Sequence, residues 1–182
     1  ALNDNAMIYT DPISVTTTMN FQTRLLNGET WSPKSSGTYL LNHAPASSEN
    51  LIISEIMYNP SEPSGIEGFS GFSEGYLFEF IEFTNTSETI VDLTGASFSR
   101  GIQFDFSSLP AHERLLDPGA TILLVKDLEA FQRRHRDVDD ALIRGQYLGK
   151  LDNGGERLTL EDAAGEEILD IAYNDSDMWP AE

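Results

Sequence analysis

The sequence contains no cysteine among its 182 residues. Disulfides, thiolate metal sites and a cysteine nucleophile are therefore excluded, and cysteine usage does not indicate a compartment. A chain of this length buries enough apolar surface to hold a core together without such cross-links. Long apolar runs are missing too. The longest, residues 120–125 (ATILLV), has the length of a strand, whereas a membrane helix needs about 20 residues. We expect no membrane span.

Basic residues are scarce. Only 11 Lys and Arg residues stand against 30 Asp and Glu residues, which gives a formal net charge of −19. Such a surface repels the phosphate backbone of nucleic acids at long range, so we expect no direct nucleic-acid partner. Most of the excess lies in the second part of the chain, because the first 50 residues hold 2 basic and 4 acidic residues and the remainder holds 9 and 26.

The sequence also lacks a charged-then-apolar leader of the kind that a secretory signal places at its start. It opens with ALNDNAMIYTDP, which begins as the middle of a domain would. We therefore expect the chain to be a fragment of a longer protein.

The larger part of the chain is organised around residues 76–93, YLFEFIEFTNTSETIVDL. Apolar residues alternate there with the carboxylates Glu79 and Glu82 until the turn-forming run NTS, which predicts a strand, a tight turn and a second short strand. The same pattern recurs in other runs of strand length, at residues 51–58, 96–106, 120–126, 157–160 and 167–173. One short helix is expected over residues 128–135, with Asp127 as its N-cap. Many short strands and a single helix predict an all-β sandwich.

The domain organisation follows from composition. Residues 1–42 hold β-like runs with an Asn27-Gly28 turn, too few strands to close a sandwich, so we expect a partial β unit that is ordered by leaning on its neighbour. Residues 43–50 (HAPASSEN) have the composition of a linker. Residues 51–182 form the main domain. Within it, residues 61–75 are rich in glycine and proline and predict a long surface loop.

Two family resemblances add to this pattern. The string IYTDPISVTTTMNFQTRLLNGETWSPKSSGTYLL resembles the C-terminal half of the immunoglobulin-like repeats found in large bacterial secreted proteins and at the ends of chitobiase-type enzymes. From residue 51, the motifs LIISEIMYNP, EFIEFTNTSETIVDLTGASFS, LDPGATILLVKDLEAFQRRH and LDNGGERLTLEDAAGEEILDIAYND, with the closing MWP, resemble a bacterial lamin-tail domain. The Gly-rich stretch 61–75 is longer than that family leads us to expect.

The resemblance to the lamin-tail family implies an immunoglobulin-like β-sandwich over residues 51–180. It also implies a non-catalytic interaction or adhesion module of a larger bacterial extracellular or cell-surface protein. The partners would then be proteins or carbohydrates at the cell surface, together with other domains of the same chain. The alternatives are a carbohydrate-binding or calcium-dependent accessory domain of a secreted hydrolase, or a hydrolase itself.

Catalytic candidates are few. A hydrolase would draw on Glu55, Glu79 and Glu82, because glycoside hydrolysis needs two carboxylates across one bond. Glu79 and Glu82 are three residues apart, however, and would point to opposite faces of one strand. The three histidines, His43, His112 and His135, fall in a linker, a turn and a helix end, where we expect them to be solvated. We assign no catalytic residue.

We expect no cofactor, and calcium is the one that the acidic turns make possible, because it takes six to eight oxygen ligands. Asp152, Asn153 and Glu156 concentrate oxygens on one turn, and Asp175 and Asp177 do so on another. Neither turn has the EF-hand pattern. Turn residues of these types are also chosen because they bond their own backbone, and this alternative stays open. A metal-dependent nuclease using the acidic turns is a further alternative.

Exposed aromatic rings are the third kind of candidate, since sugars stack on flat rings beside polar groups. Phe69, Phe72 and Tyr76 lie in or beside the Gly-rich stretch, where no regular strand forces them inward. They predict a binding face, with core filling or loop packing as the alternative.

Overall fold

The computed structural model describes residues 7–15, 19–39, 41 and 43–175. The chain divides into two compact units, Ala1–His43 and Ala44–Glu182. In the first unit, β1 (Met19–Thr23) pairs antiparallel with β4 (Ser35–Tyr39), and β2 (Leu26–Asn27) pairs with β3 (Thr30–Trp31). Gly28 has a φ of 62° in the tight β2–β3 turn, a backbone conformation that suits the Asn-Gly signal. One of the β-like runs of the sequence spans Ile13 to Thr18: its residues 13–15 are irregular, and residues 16–18 lie outside the described residues.

Three sheets make up the second unit, in accordance with the expected all-β, immunoglobulin-like class. Its strands are β5 (His43–Pro45), β6 (Leu51–Met57), β7 (Phe80–Asn85), β8 (Ile90–Asp92), β9 (Ser97–Arg100), β10 (Leu115–Leu116), β11 (Thr121–Val125), β12 (Ile143–Gln146), β13 (Arg157–Glu161) and β14 (Glu167–Ala172). The sheet orders are β12-β11-β7-β6, β14-β13-β9 and β10-β8-β5. Neighbouring strands are antiparallel except β11 and β12, which are parallel.

Strand β7 has buried apolar residues on both of its faces, and Glu82 and Thr84 on one of them are partly exposed. Ile81 and Phe83 point into the main core, which also collects apolar residues from the other two sheets. Phe80 points the other way and packs with Leu123 and Phe131 in a smaller core. The strand expected from residue 76 begins later, at Phe80. Leu77 lies in a 3-10 turn (Gly75–Phe78) and Glu79 follows that turn, so the predicted alternation is present only in part.

The turn after β7 carries the chain from one sheet to another, since β7 and β8 are not paired with each other. Asn85 fixes this crossing and is fully buried. Its Nδ2 donates to the carbonyls of Thr89 (2.8 Å) and Leu116 (2.9 Å), and its Oδ1 accepts from the backbone N–H of Ser87 (2.8 Å). One side chain thereby satisfies backbone groups from both sides of the crossing.

Residues 43–50 are part of the sandwich and not the linker expected from their composition. They contain β5, and the backbone N–H of Ala46 donates to the backbone carbonyl of Asp92 (3.0 Å). Asn50 closes the following turn: its Oδ1 accepts from Ser47 (2.8 Å) and its Nδ2 donates to Pro45 (2.9 Å). Small polar residues here satisfy backbone groups locally, which is why their composition resembled that of a linker.

Two α-helices are present in the described part of the chain, where one was expected. The expected helix, α2 (Leu128–Arg134), begins at Asp127, whose Oδ1 accepts from the N–H of Ala130 at 2.9 Å. The other, α1 (Gly65–Phe69), lies in the Gly-rich stretch that was expected to be a loop. No helix in the described residues is long and apolar enough to cross a membrane.

Candidate functional site

Helix α1 is held against α2 by an ion pair. The two carboxylate oxygens of Glu67 accept from Arg134, at 2.9 Å from Nε and 3.0 Å from Nη2. One of them also accepts from the backbone N–H of Ser64 (3.0 Å), at the start of the helix. The Arg134 guanidinium in turn stacks on Phe78, with its Cζ 3.4 Å from the ring centroid. Hydrogen bonds from Arg134 lower the pKa of Glu67 to about 2. The Gly-rich stretch is thus a fixed lobe.

The outer face of α1 is apolar and exposed. Phe69 has 94% of its surface exposed and Ile66 has 60%. The two residues are three positions apart and therefore lie on one side of the helix. Phe72, just after the helix, packs edge-on against Phe78 with ring centroids 5.6 Å apart. Neither Ile66 nor Phe69 belongs to a hydrophobic core of the described residues.

A groove of about 400 Å³ separates the lobe from α2. Its lining residues are Ser70, Phe72, Glu129, Gln132, Arg133 and Arg136. We call this groove, with the exposed Ile66 and Phe69 on α1, the α1–α2 surface. It contains two of the three aromatic residues that the sequence suggested for binding.

The third aromatic residue, Tyr76, lines a different cleft, of about 300 Å³. The other lining residues are Glu62, Glu74, Gly75, Lys150, Asp152 and Asn153. Lys150 lies over the Tyr76 ring, with Nζ 5.8 Å from the centroid. The structure therefore brings Tyr76 to the turn that was considered as a possible calcium site, a proximity that sequence separation concealed. Phe69, Phe72 and Tyr76 do not line one common depression, because α1 and the 3-10 turn after it direct them differently.

Two side-chain oxygens of the 152–156 turn, Asp152 Oδ1 and Glu156 Oε1, already accept hydrogen bonds within the protein. Asp152 Oδ1 accepts from the N–H of Gly154 (2.8 Å), and Glu156 Oε1 accepts from the N–H of Asp152 (3.1 Å) and from Tyr173 Oη (3.0 Å). Asn153 Nδ2 donates to Asn59 Oδ1 (2.8 Å). These bonds are those of an Asx-type turn.

The second acidic turn, with Asp175 and Asp177, offers fewer described oxygen ligands for a metal ion. Asp175 is exposed, and Asp177 lies outside the described residues. Within the residues described, no group of three or more His, Asp and Glu side chains is placed to hold a metal ion.

Comparison with known proteins gives one match and one negative result. The family model of the Lamin Tail Domain matches residues 44–175. The chain belongs to the lamin tail domain family. The match begins at β5, earlier than residue 51, and so includes the segment that the sequence suggested was a linker. No curated protein matches the chain.

In this lamin tail domain the three carboxylates considered for catalysis lie in different surroundings. Glu55 and Glu82 face each other across β6 and β7, where Ser54 Oγ donates to Glu82 Oε1 at 2.6 Å. Burial, and then repulsion from Glu82, raises the pKa of Glu55. Glu79 is instead in the interior, with no exposed surface.

Glu79 is the functional-type residue whose environment the sequence did not reveal. Its Oε2 accepts from Tyr147 Oη (3.0 Å) and from the backbone N–H of Leu151 (2.9 Å), whereas Oε1 is buried without a protein partner. Burial raises the pKa of Glu79 to about 7, against the opposing effect of those two hydrogen bonds. A carboxyl group in such a place keeps its proton to a higher pH than an exposed one. The sequence signal that could have indicated its burial is the apolar residues on both sides, Phe78 and Phe80.

One of the three histidines of the chain differs from expectation, because it is not solvated. His43 and His112 are exposed. His135 is partly buried at the end of α2, where its ring stacks on Phe131 with centroids 4.5 Å apart and meets Phe80 edge-on at 5.6 Å. Burial lowers the pKa of His135, so the ring acts as a packing group and not as a solvated one.

Proposed function

We propose that this chain is a non-catalytic interaction module of a larger bacterial extracellular or cell-surface protein, and that it binds its partner through the α1–α2 surface. The observation that carries the proposal is the exposure of Phe69 on a helix that Glu67 and Arg134 hold in place. Phe69 and Ile66 together form an exposed apolar patch on a fixed lobe, and a contiguous patch of this kind is typical of a binding surface.

The immunoglobulin-like scaffold supports this proposal. Loops and insertions at the ends of a sandwich carry binding residues, while the sheets keep those residues in position. The α1 lobe is such an insertion, placed between β6 and β7. Its ion pair reduces the entropy that the lobe would lose on binding.

A non-catalytic role is further supported by the distribution of carboxylates. Glu55 and Glu82 are paired across β6 and β7, whereas Glu79 lies in the interior. Glu79 is therefore unable to flank a substrate bond together with either of them. The extracellular setting rests on the resemblance of residues 8–42 to repeats of secreted bacterial proteins.

Capture of partners tests the proposed surface. The full chain would be immobilised and exposed to solubilised cell-envelope proteins, in parallel with the variant Ile66→Ser/Phe69→Ser. We expect the wild type to retain a defined set of proteins that the variant loses. Leu148→Ser is the matched control, because Leu148 is 66% exposed but lies outside the α1–α2 surface, and it should retain the set. Equal retention by all three chains would refute the proposed surface.

Enzymatic activity is tested separately with chromogenic glycosides, esters and plasmid DNA, each with calcium or magnesium. We expect no turnover. Turnover that disappears in Glu82→Ala would contradict the non-catalytic role and show that the chain is an enzyme.

Carbohydrate binding at the Tyr76 cleft is a second candidate function. The ring is 37% exposed and is bordered by Lys150, Asp152 and Asn153, which supply donors and acceptors for hydroxyl groups. Affinity electrophoresis in gels that contain cell-wall polysaccharides would test it. Retardation of the wild type but not of Tyr76→Ala is the expected result for this function, and equal mobility of the two chains would eliminate it.

A further inference from the structure

Two arginines on the α1–α2 surface have charges that the protein itself does not neutralise. Arg133 and Arg136 are both exposed. Among the described residues neither guanidinium has a carboxylate within 4.0 Å, although Glu129 lines the same groove. Arg136 Nε donates a hydrogen bond to the backbone carbonyl of Arg133 (3.3 Å). Among the described residues only Arg134 and Arg157, of the Lys and Arg side chains, have a carboxylate within 4.0 Å. Arg133 and Arg136 are distinguished by lining one groove together with Phe72.

The third arginine of the cluster shows what these side chains do when a carboxylate is present. Arg134 binds Glu67 with two parallel hydrogen bonds and at the same time stacks on Phe78. A guanidinium combines a fork of donors that fits a carboxylate with a flat face that fits an aromatic ring. Arg133 and Arg136 are free to make both kinds of contact with a partner.

Apolar groups lie beside these charges. Phe72 lines the groove together with both arginines, and the nearly fully exposed Phe69 is on the helix that forms the lobe. A volume of about 400 Å³ is enough for one large side chain of a partner and the backbone on either side of it. The surface therefore combines two unpaired positive charges, an aromatic wall and an exposed phenylalanine.

We propose that the α1–α2 surface binds an acidic peptide segment of a partner protein, one that carries an aromatic or large aliphatic side chain between its carboxylates. The carboxylates would pair with Arg133 and Arg136, and the apolar side chain would pack against Phe72 and Phe69. This inference rests on the proposed function and specifies the partner class for the same surface.

The overall negative charge does not prevent this recognition at physiological salt. The Debye length is about 8 Å at 0.15 M ionic strength, so carboxylates elsewhere on the domain are largely screened while direct contacts are not.

Fluorescence anisotropy of labelled peptides with the full chain at 0.15 M salt tests the inference. The probe is a peptide of about ten residues with a central tryptophan flanked by aspartate and glutamate, which is long enough to span a groove of this kind. Two comparison peptides carry asparagine and glutamine for the acids, or alanine for the tryptophan. We expect saturable binding of the probe and at least about tenfold weaker binding of each comparison peptide, since both the charges and the anchor contribute.

Variants locate the binding site. Arg133→Glu/Arg136→Glu should weaken binding of the probe by about tenfold or more, because two attractions become repulsions. Arg24→Glu/Arg100→Glu has the same change in net charge at two exposed arginines outside the groove, and it should change the affinity by less than about twofold. Circular dichroism establishes that both variants are folded.

Four outcomes would overturn the inference. Two concern the peptide: no saturable binding of the probe, or an equal loss of affinity for the probe in both double variants. The third is tighter binding of a polyuronate than of the peptide. The fourth is self-association in sedimentation velocity that Arg133→Glu/Arg136→Glu abolishes. The capture experiment separates this inference from the proposed function. If Ile66→Ser/Phe69→Ser loses the captured proteins and Arg133→Glu/Arg136→Glu retains them, the interaction module stands and the acidic partner does not.

Discussion

Glu79 links the burial of a single carboxyl group to the pH dependence of the whole fold. Its pKa is about 7 in the folded domain, against an ordinary value of 4.5. The folded state therefore holds the proton more tightly than the unfolded state. The free energy of unfolding should fall as the pH rises from about 4.5 to about 7, by about 3 kcal/mol for a shift of this size.

Glu79→Gln removes this dependence, because a glutamine side chain is neutral at every pH. Relative to the wild type, we expect the variant to be close in stability at pH 5 and more stable at pH 8, by about 2 kcal/mol or more. Urea unfolding at the two pH values measures the difference. Glu88→Gln, at an exposed position, serves as the control and should show no such change. An equal effect of Glu79→Gln at both pH values would mean that the carboxyl group is ionised throughout.

Some side chains of the site follow from local sequence, and others do not. Asp127 as a helix cap and Asn27-Gly28 as a turn are determined by neighbours within a few residues, and the structure has both. The partners of Glu79 are instead Tyr147 and Leu151, far along the chain. Local patterns report on local bonds, so a buried carboxyl group of this kind becomes visible only when the sheets are assembled.

At the scale of elements, the ion pair between α1 and α2 determines whether the lobe is rigid. Glu67 and Arg134 have 14% and 17% of their side-chain surface exposed, so loss of one partner leaves the other nearly buried without compensation. Glu67→Gln should cost about 1–2 kcal/mol at pH 7. It should also speed hydrogen exchange of the amides in residues 64–72, since a five-residue helix is not stable alone.

The pH dependence of this pair has the opposite sign to that of Glu79. The pKa of Glu67 is lowered to about 2, so its stabilisation is complete above about 4.5 and is lost as the pH falls towards 2. Glu166→Gln, at an exposed turn position, is the control. Unchanged exchange of residues 64–72 in Glu67→Gln would show that other contacts hold the lobe.

A glycine in the 152–156 turn should be irreplaceable for steric reasons. Gly155 has a φ of 106°, and a Cβ there would lie 2.4 Å from the carbonyl oxygen of Tyr173 and 2.6 Å from Asn174 Cα. Gly155→Ala should destabilise the domain by about 2 kcal/mol or more. Gly165 has a φ of 83° with open space around it, so Gly165→Ala should cost only about 1 kcal/mol. Equal melting temperatures of the two variants would contradict the close approach at Gly155.

The Gly-rich stretch 61–75 contains a helix that the sequence did not predict. Five glycines and prolines indicated a loop, and helix propensity alone favours that answer. The stretch contains α1 because Glu67 has partners at both the start of the helix and α2. Tertiary contacts of this kind outweigh a difference in propensity, and they leave no periodic signal in five residues.

At the scale of the whole molecule, the boundary of the domain decides which fragments fold. The described residues of the main core begin at Ala46, and the family match begins at residue 44. We expect residues 44–182 to melt cooperatively without the first unit. Residues 51–182, the boundary that composition suggested, should melt about 5 °C lower or more, because β5 and the bonds of Asn50 are lost. Identical melting temperatures of the two fragments would show that residues 43–50 are a linker that does not stabilise the domain.

The sandwich itself was the most predictable level of the structure. Short apolar runs separated by turn signals determine an all-β core, because each run must bury one or both faces against another sheet. The pairing of strands was less accessible: β7 and β8 are adjacent in sequence but belong to different sheets. The buried bonds of Asn85 direct this crossing, and they depend on a third strand.

The most direct test of the α1–α2 surface is a hydrogen–deuterium exchange footprint of the full chain bound to a partner recovered by capture. Short helices exchange quickly when free, so contact with a partner gives a large signal there. We predict slower exchange in residues 64–72 and 128–136. Protection confined to residues 74–78 and 150–154 around Tyr76, or to the strip of β6 and β7 that carries Ser54 and Glu82, would contradict the account.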